Sequence, residues 1–155
     1  MSPTRTDRHS RAPLADCCAI LRDSSVGALL VEARGKDAAV AAGDLTCFGG
    51  KREAGEEPQA CVLRECREEL GWEPAAVERA CDLYVDGELI AWFYEAAAPA
   101  RDAALICEPG RAAVWLDDVE GAQVEGMRLS PWHACVLSAL RAGERRADFA
   151  SERAS

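Results

Sequence analysis

Gly49 to Trp72 reads GGKREAGEEPQACVLRECREELGW, and the rest of the 155-residue chain is organised around it. Within it lies Arg64-Glu65-x-x-Glu68-Glu69, entered through a loop with Gly49, Gly50 and Gly55 and closed by Gly71. On a helix, positions i, i+3 and i+4 share a face, so Glu65, Glu68 and Glu69 crowd one stripe. Like charges at this spacing weaken an isolated helix by about a few tenths of a kcal/mol per pair, so the stripe needs bulk water or a cation to balance it. Mg²⁺ suits such a stripe, because it takes oxygen ligands and is held by one or two carboxylates together with substrate phosphates. A plain solvated acidic face is the blander alternative, and the surroundings argue against it. Pro58 suits a first helical turn and Gly71 the position just past the last. The opposite side carries Val62, Leu63, Cys66 and Leu70, a packing stripe.

Working outward, Leu45-Thr46-Cys47-Phe48 reads as a short strand that delivers the chain to Gly49 and Gly50. A glycine loop that leaves a strand and opens a helix is the context a phosphate and metal site requires. Upstream, CCAILRD and VGALLVEAR read as two apolar strands around a short polar turn. Downstream, Val77 to Tyr84 and Glu88 to Ala96 read as strands around Val85-Asp86-Gly87, a hairpin signal. The second has blurred alternation, which suits a strand covered on both faces. Ala112 to Leu116 reads as a further strand, Asp117 to Gly126 as a loop with one helical turn, and Pro131 to Arg141 as a helix with Ser130 as N-cap. Residues 1–13 are polar with two prolines and are expected to be disordered or loose; 14–143 form the domain; 144–155 are expected to fray.

Composition sets further bounds. The length and a 49% hydrophobic content fit one domain with a real core. A net charge of −9 argues against a duplex nucleic-acid partner, which needs a basic face, but leaves a nucleotide open. There is no apolar run of membrane-spanning length and no apolar signal core at the N-terminus, so no membrane partner and a cytoplasmic location are expected. The eight cysteines form no C-x-x-C pair, and His9 and His133 complete no zinc pattern, so they read as reduced, buried small hydrophobes.

The spacing Gly50, five residues, Glu56, seven residues, Arg64-Glu65-Cys66-x-Glu68-Glu69-x-Gly71-Trp72 resembles the Nudix box at every charged and glycine position. Only Cys66 and Trp72 replace the usual aliphatic residues, and both remain apolar. The resemblance implies an α/β fold, the Nudix-type α/β/α sandwich with a mixed β-sheet between helices. It also implies Mg²⁺-dependent hydrolysis, with Mn²⁺ as alternative ion, of a nucleoside diphosphate linked to another group. Nucleoside triphosphates lead, ahead of dinucleoside polyphosphates and nucleotide sugars. Glu65, Glu68, Glu69 and the Gly49 carbonyl are the metal candidates. Glu65 and Glu68 are also catalytic candidates, the choice of base staying open, and Arg64 is the orienting residue.

Outside the box, Glu108 in CEPGR is the candidate for an added loop carboxylate. Lys51 is placed to meet a phosphate oxygen, and Trp92, Trp132 and His133 are candidates for holding the base, by stacking in the case of the tryptophans. Pro131-Trp132-His133 stands where relatives that sanitise oxidised purines have Pro-x-Asn, which argues against that substrate. The protein is expected to act as monomer or homodimer. The rival reading is a catalytically silent nucleotide-sensing or interaction domain that keeps the fold, although the box here keeps its arginine and all its glutamates.

Overall fold

The computed structural model describes residues 15–38, 41–117, 119–121 and 123–152, so the expectation for residues 1–13 falls outside the described part. The central strand is β1 (Asp16–Arg22), whose side chains alternate between two cores. Cys17, Ala19 and Leu21 point to one side; Cys18 and Ile20 point to the other. Around it lie β2 (Leu29–Arg34), β3 (Leu45–Thr46), β4 (Phe48–Lys51), β5 (Glu78–Val85), β6 (Glu88–Ala97) and β7 (Arg111–Leu116). With β10 (Arg146–Phe149) they make a mixed sheet, in which β1 runs parallel to β6 and β10 parallel to β5. A separate hairpin joins β8 (Gln123–Val124) to β9 (Met127–Arg128).

Helix α1 (Pro58–Leu70) covers one face and α2 (Pro131–Arg141) the other, giving the expected sandwich. Under α1 lie Cys61, Val62, Cys66 and Leu70, all fully buried, against Leu21, Leu30, Phe48 and Tyr94. Under α2, Val136, Leu137 and Ala139 meet Ile20, Val31, Leu83 and Phe93. Burying a side chain such as Leu70 contributes roughly 1.5–3 kcal/mol. Residues of β6 alternate between these two cores, which is why its sequence shows no clean polar face. All eight cysteines are free thiols, six of them buried. Burial pushes the Cys47 and Cys66 thiols up to about 12, so they pack as small apolar groups. Among the described residues no helix is long and apolar enough to cross a membrane.

The sheet forks at β1. Along one edge, β4 takes Asp16 to Ala19 and β2 takes only Leu21 and Arg22, while the outer part of β2 pairs with β3. The chain therefore steps from β2 to β1 through Cys47, and Gly49 lands on the backbone of Cys17. A Cβ on Gly49 would lie 2.2 Å from the Cys17 carbonyl oxygen, at φ +156. Only glycine fits this crossing.

Three sequence expectations are corrected here. Gly49 and Gly50 belong to strand β4, and the loop proper is the stretch after it, because their bare backbones let the strand press against β1. The stretch from Asp117 to Gly126 holds no described helical turn; it leads into the β8–β9 hairpin, whose Glu125-Gly126 corner has φ +51 and +81. Two positive φ values suit a hairpin corner rather than a helix. The tail beyond residue 143 does not simply fray: Ala147 is buried and Arg146 to Phe149 pairs with Asp82 to Val85.

Candidate active site

Arg64 is the tie at the centre of the site. Its Nε and Nη2 donate to the two oxygens of Glu56 at 2.8 and 3.0 Å. Its Nη1 donates to Glu65 Oε1 at 3.0 Å and Glu68 Oε2 at 3.1 Å, and Nη2 also reaches the Lys51 carbonyl at 3.1 Å. One guanidinium thus joins the end of β4, the following loop and the acid face of α1. Hydrogen bonds from Arg64 hold the Glu56 carboxyl down to about 2, and Glu56 in turn keeps Arg64 firmly charged. Arg64→Lys is expected to melt earlier and to lose catalytic rate by about 10-fold or more, because an ammonium cannot reproduce the planar fork. Thermal melts and kcat measured on the same preparation check both.

The acid stripe divides once it meets the sheet. Glu68 is 54% exposed along its side chain and is held through one oxygen. Glu69 is 5% exposed; its Oε2 accepts the Gly49 N–H at 3.2 Å and its Oε1 accepts from Arg111 Nη1 at 3.2 Å. Glu65 lies over Gly50 so closely that a Cβ there would sit 2.6 Å from its Oε1. Burial first, then the charges of Glu32 and Glu65, push Glu69 up to about 8. Arg64 Nη1 keeps Glu65 and Glu68 together, so what separates the three carboxylates is burial: Glu69 is covered by the sheet, Glu65 packs over Gly50, and Glu68 is the open one. Gly49 meets Glu69 through its N–H.

Two residues of the site escape the sequence reading. Glu32, on β2, is buried to 1% and faces Arg111 Nε at 3.3 Å and Arg34 Nη2 at 3.7 Å. Arg111, the first residue of β7, bridges Glu32 and Glu69. A glutamate inside the apolar run LLVEAR was the available signal for the first; nothing local marks the second. Beside them opens a cleft of about 510 Å³ lined by Glu32, Arg34, Lys36, Pro109, Gly110 and Arg111 among others.

The residues expected to hold substrate are not gathered there. Lys51 is exposed at the end of β4, near Asp16, whose pKa burial raises against the opposing charges of Lys51 and Arg34. Trp92 packs on the α1 side, with Arg52 and Arg79 against its ring at 4.9 and 5.6 Å. Trp132, 37% exposed, and His133 lie on α2 across the sheet. The His133 ring meets Phe93 edge-on at 5.4 Å, and burial brings its pKa down to about 4, so it is neutral at pH 7. Trp92 and Phe93 are successive residues of one strand and so face opposite ways, which separates Trp92 from His133 by the thickness of the sheet. None of Lys51, Trp92, Trp132 or His133 lines the cleft. Glu108 is 63% exposed at its rim, 3.9 Å from Arg111 Nε.

Among the described residues, no three carboxylate, imidazole or thiol groups form a set that could enclose an ion as they are placed. The chemistry of the donors nevertheless fits a hard divalent ion. Glu65 and Glu69 converge on the Gly49-Gly50 backbone, neither oxygen of the nearby buried Glu32 accepts a hydrogen bond among the described residues, and every donor is oxygen.

Comparison with known proteins bears on the fold and the family. A MutT NUDIX hydrolase from Burkholderia pseudomallei matches with 26% identity and TM-score 0.65, over 83% of this chain and 98% of that one. The E. coli ORF135 protein matches with 27% identity and TM-score 0.59, over 83% and 89%. A MutT protein from Bacillus halodurans, at 16% identity, shares the fold with TM-score 0.66 over 88% and 89%. No curated protein matches the sequence. The fold and the box on α1 define a hydrolase of pyrophosphate bonds. The NUDIX domain model matches residues 12–125, and the chain belongs to the Nudix family.

Proposed function

We propose that this Nudix hydrolase uses Mg²⁺, or Mn²⁺ in its place, to cleave nucleoside diphosphates linked to another group, with nucleoside triphosphates the favoured class and the cytoplasm the place of action. One observation carries the reading. The buried acids Glu69 and Glu32 share Arg111 with a cleft whose wall also presents Arg34 and Lys36. A metal-holding acid wall beside basic side chains is what a chain of phosphates requires, and Lys36 joins Arg34 and Arg111 on this wall, which also carries Asp37. Glu65, Glu69 and Gly49 would hold the ion, with Glu68 at the outer edge. When bound there, the ion offsets phosphate charge and lowers the pKa of a coordinated water.

The side chains of the protein supply the rest. Arg64 fixes Glu65 and Glu68 relative to the loop. Glu68, tethered by Oε2 and open to solvent, suits acceptance of a proton from water. Arg34, Lys36 and Arg111 orient the phosphates, and the exposed Glu108 stands 3.9 Å from Arg111 Nε. No duplex nucleic acid or membrane is needed as partner.

The test is phosphate and pyrophosphate release from nucleoside triphosphates, nucleotide sugars and dinucleoside polyphosphates, with Mg²⁺ and with chelator. Mg²⁺-dependent turnover highest on triphosphates is the expected result. Turnover unaffected by chelator would refute the metal-dependent reading, a preference for sugars would refute the substrate class, and no turnover on any substrate would favour the silent, nucleotide-sensing alternative.

A further inference from the structure

We propose that Glu32 is a further ligand of the metal centre, carried by the sheet rather than by the helix that bears the box. This rests on the metal-dependent reading above and adds a residue to it. Three observations carry it. Glu32 has 1% of its surface exposed, and among the described residues neither of its oxygens accepts a hydrogen bond. Among the described residues its charge is balanced by Arg111 at 3.3 Å and Arg34 at 3.7 Å. The Arg111 guanidinium, which faces Glu32 through Nε, also donates from Nη1 to Glu69 at 3.2 Å, so the two carboxylates flank a single cationic group.

A carboxylate taken out of water needs its lone pairs filled as well as its charge offset. Two guanidiniums at ion-pair distance give Glu32 charge balance without those hydrogen bonds. A hard divalent ion between Glu32 and Glu69 does both, since it binds oxygen lone pairs directly. Glutamine at this position would keep the shape but remove the charge that the two arginines and a hard ion both draw on. Glu32 also lines the cleft, so the ion it shares with Glu69 would border the phosphate path. The ion and Arg111 compete for the same oxygens, which leaves the guanidinium to turn toward phosphate.

Mn²⁺ binding tests this without any turnover. Free Mn²⁺ is followed by electron paramagnetic resonance during titration of the wild-type chain, Glu32→Gln, Glu32→Asp and Glu69→Gln, each checked for folding by circular dichroism. The expected result is a loss of one bound equivalent, or affinity weaker by about 10- to 100-fold, in Glu32→Gln. Glu32→Asp keeps the charge for the arginines but withdraws the oxygens, so it too must bind more weakly, and it serves if the glutamine variant does not fold. If Glu69→Gln weakens binding but both Glu32 variants match the wild type, the assignment of Glu32 is overturned and the reading beneath it stands. If the wild-type chain binds no Mn²⁺, both are overturned.

Discussion

Glu69→Gln is expected to lower kcat by about 10²- to 10⁴-fold while the chain stays folded. The exchange preserves shape: the side-chain carbonyl can still accept the Gly49 N–H, while the amide nitrogen takes the place of the oxygen that accepts from Arg111 Nη1. What disappears is a negative charge held out of water beside Glu32 and Glu65. Metal-free stability should therefore hold or rise at alkaline pH. The direction follows from proton linkage. Glu69 has a folded pKa of about 8, above its ordinary value of 4.5, so between these pH values the folded chain binds the extra proton and the unfolded chain does not. Stability in chelator must then fall as pH rises through that window. Thermal melts from pH 5 to 8 should show this slope in the wild type and a flatter one in Glu69→Gln. A variant with kcat within about threefold of wild type would remove Glu69 from the chemistry.

Gly49→Ala is the largest expected loss of stability, about 3 kcal/mol or more. The added Cβ would meet the Cys17 carbonyl oxygen at 2.2 Å and Cys18 Cα at 2.7 Å. Both are backbone atoms, which cannot rotate aside as a side chain would, so β4 must move off β1. The same shift pulls the Gly49 N–H from Glu69 and should impair activity in whatever fraction still folds. Gly55→Ala is the control: its φ of +79 is unfavourable, but nothing lies within 4 Å of the new atom. It should cost about 1 kcal/mol. Urea unfolding of the two variants measures the contrast.

The helices and the main hairpin were legible in the sequence because their signals are local. Pro58 and Gly71 mark the ends of α1, with Gly71 at φ +62 and its N–H bonded to the Arg67 carbonyl. Asp86-Gly87 turns the hairpin with φ +50 and +86. The box residues were legible for the same reason, since one helix sets their spacing. What the sequence hid depends on distant partners. The strand Arg146–Phe149 has one buried side chain, Ala147, and exists through parallel pairing with a strand far upstream. Glu32 becomes a site residue only when α1 and β7 bring Glu69 and Arg111 to it. Trp92 and His133 look equivalent as candidates until the pleat places them on opposite faces. The split between Glu68 and Glu69 is of the same kind, because helix geometry alone cannot say which edge of the acid stripe the sheet will cover.

The short strand β10 has a consequence for how copies of this chain meet. It masks part of the outer edge of β5, and its own edge is only four residues long. Arg146 and Asp148 on it pair with each other, and the Arg146 guanidinium rests 3.7 Å from the Tyr84 ring centre. A border this brief and this charged makes a poor template for continuing the sheet into a neighbour, so the sheet carries its own brake against fibrous self-association.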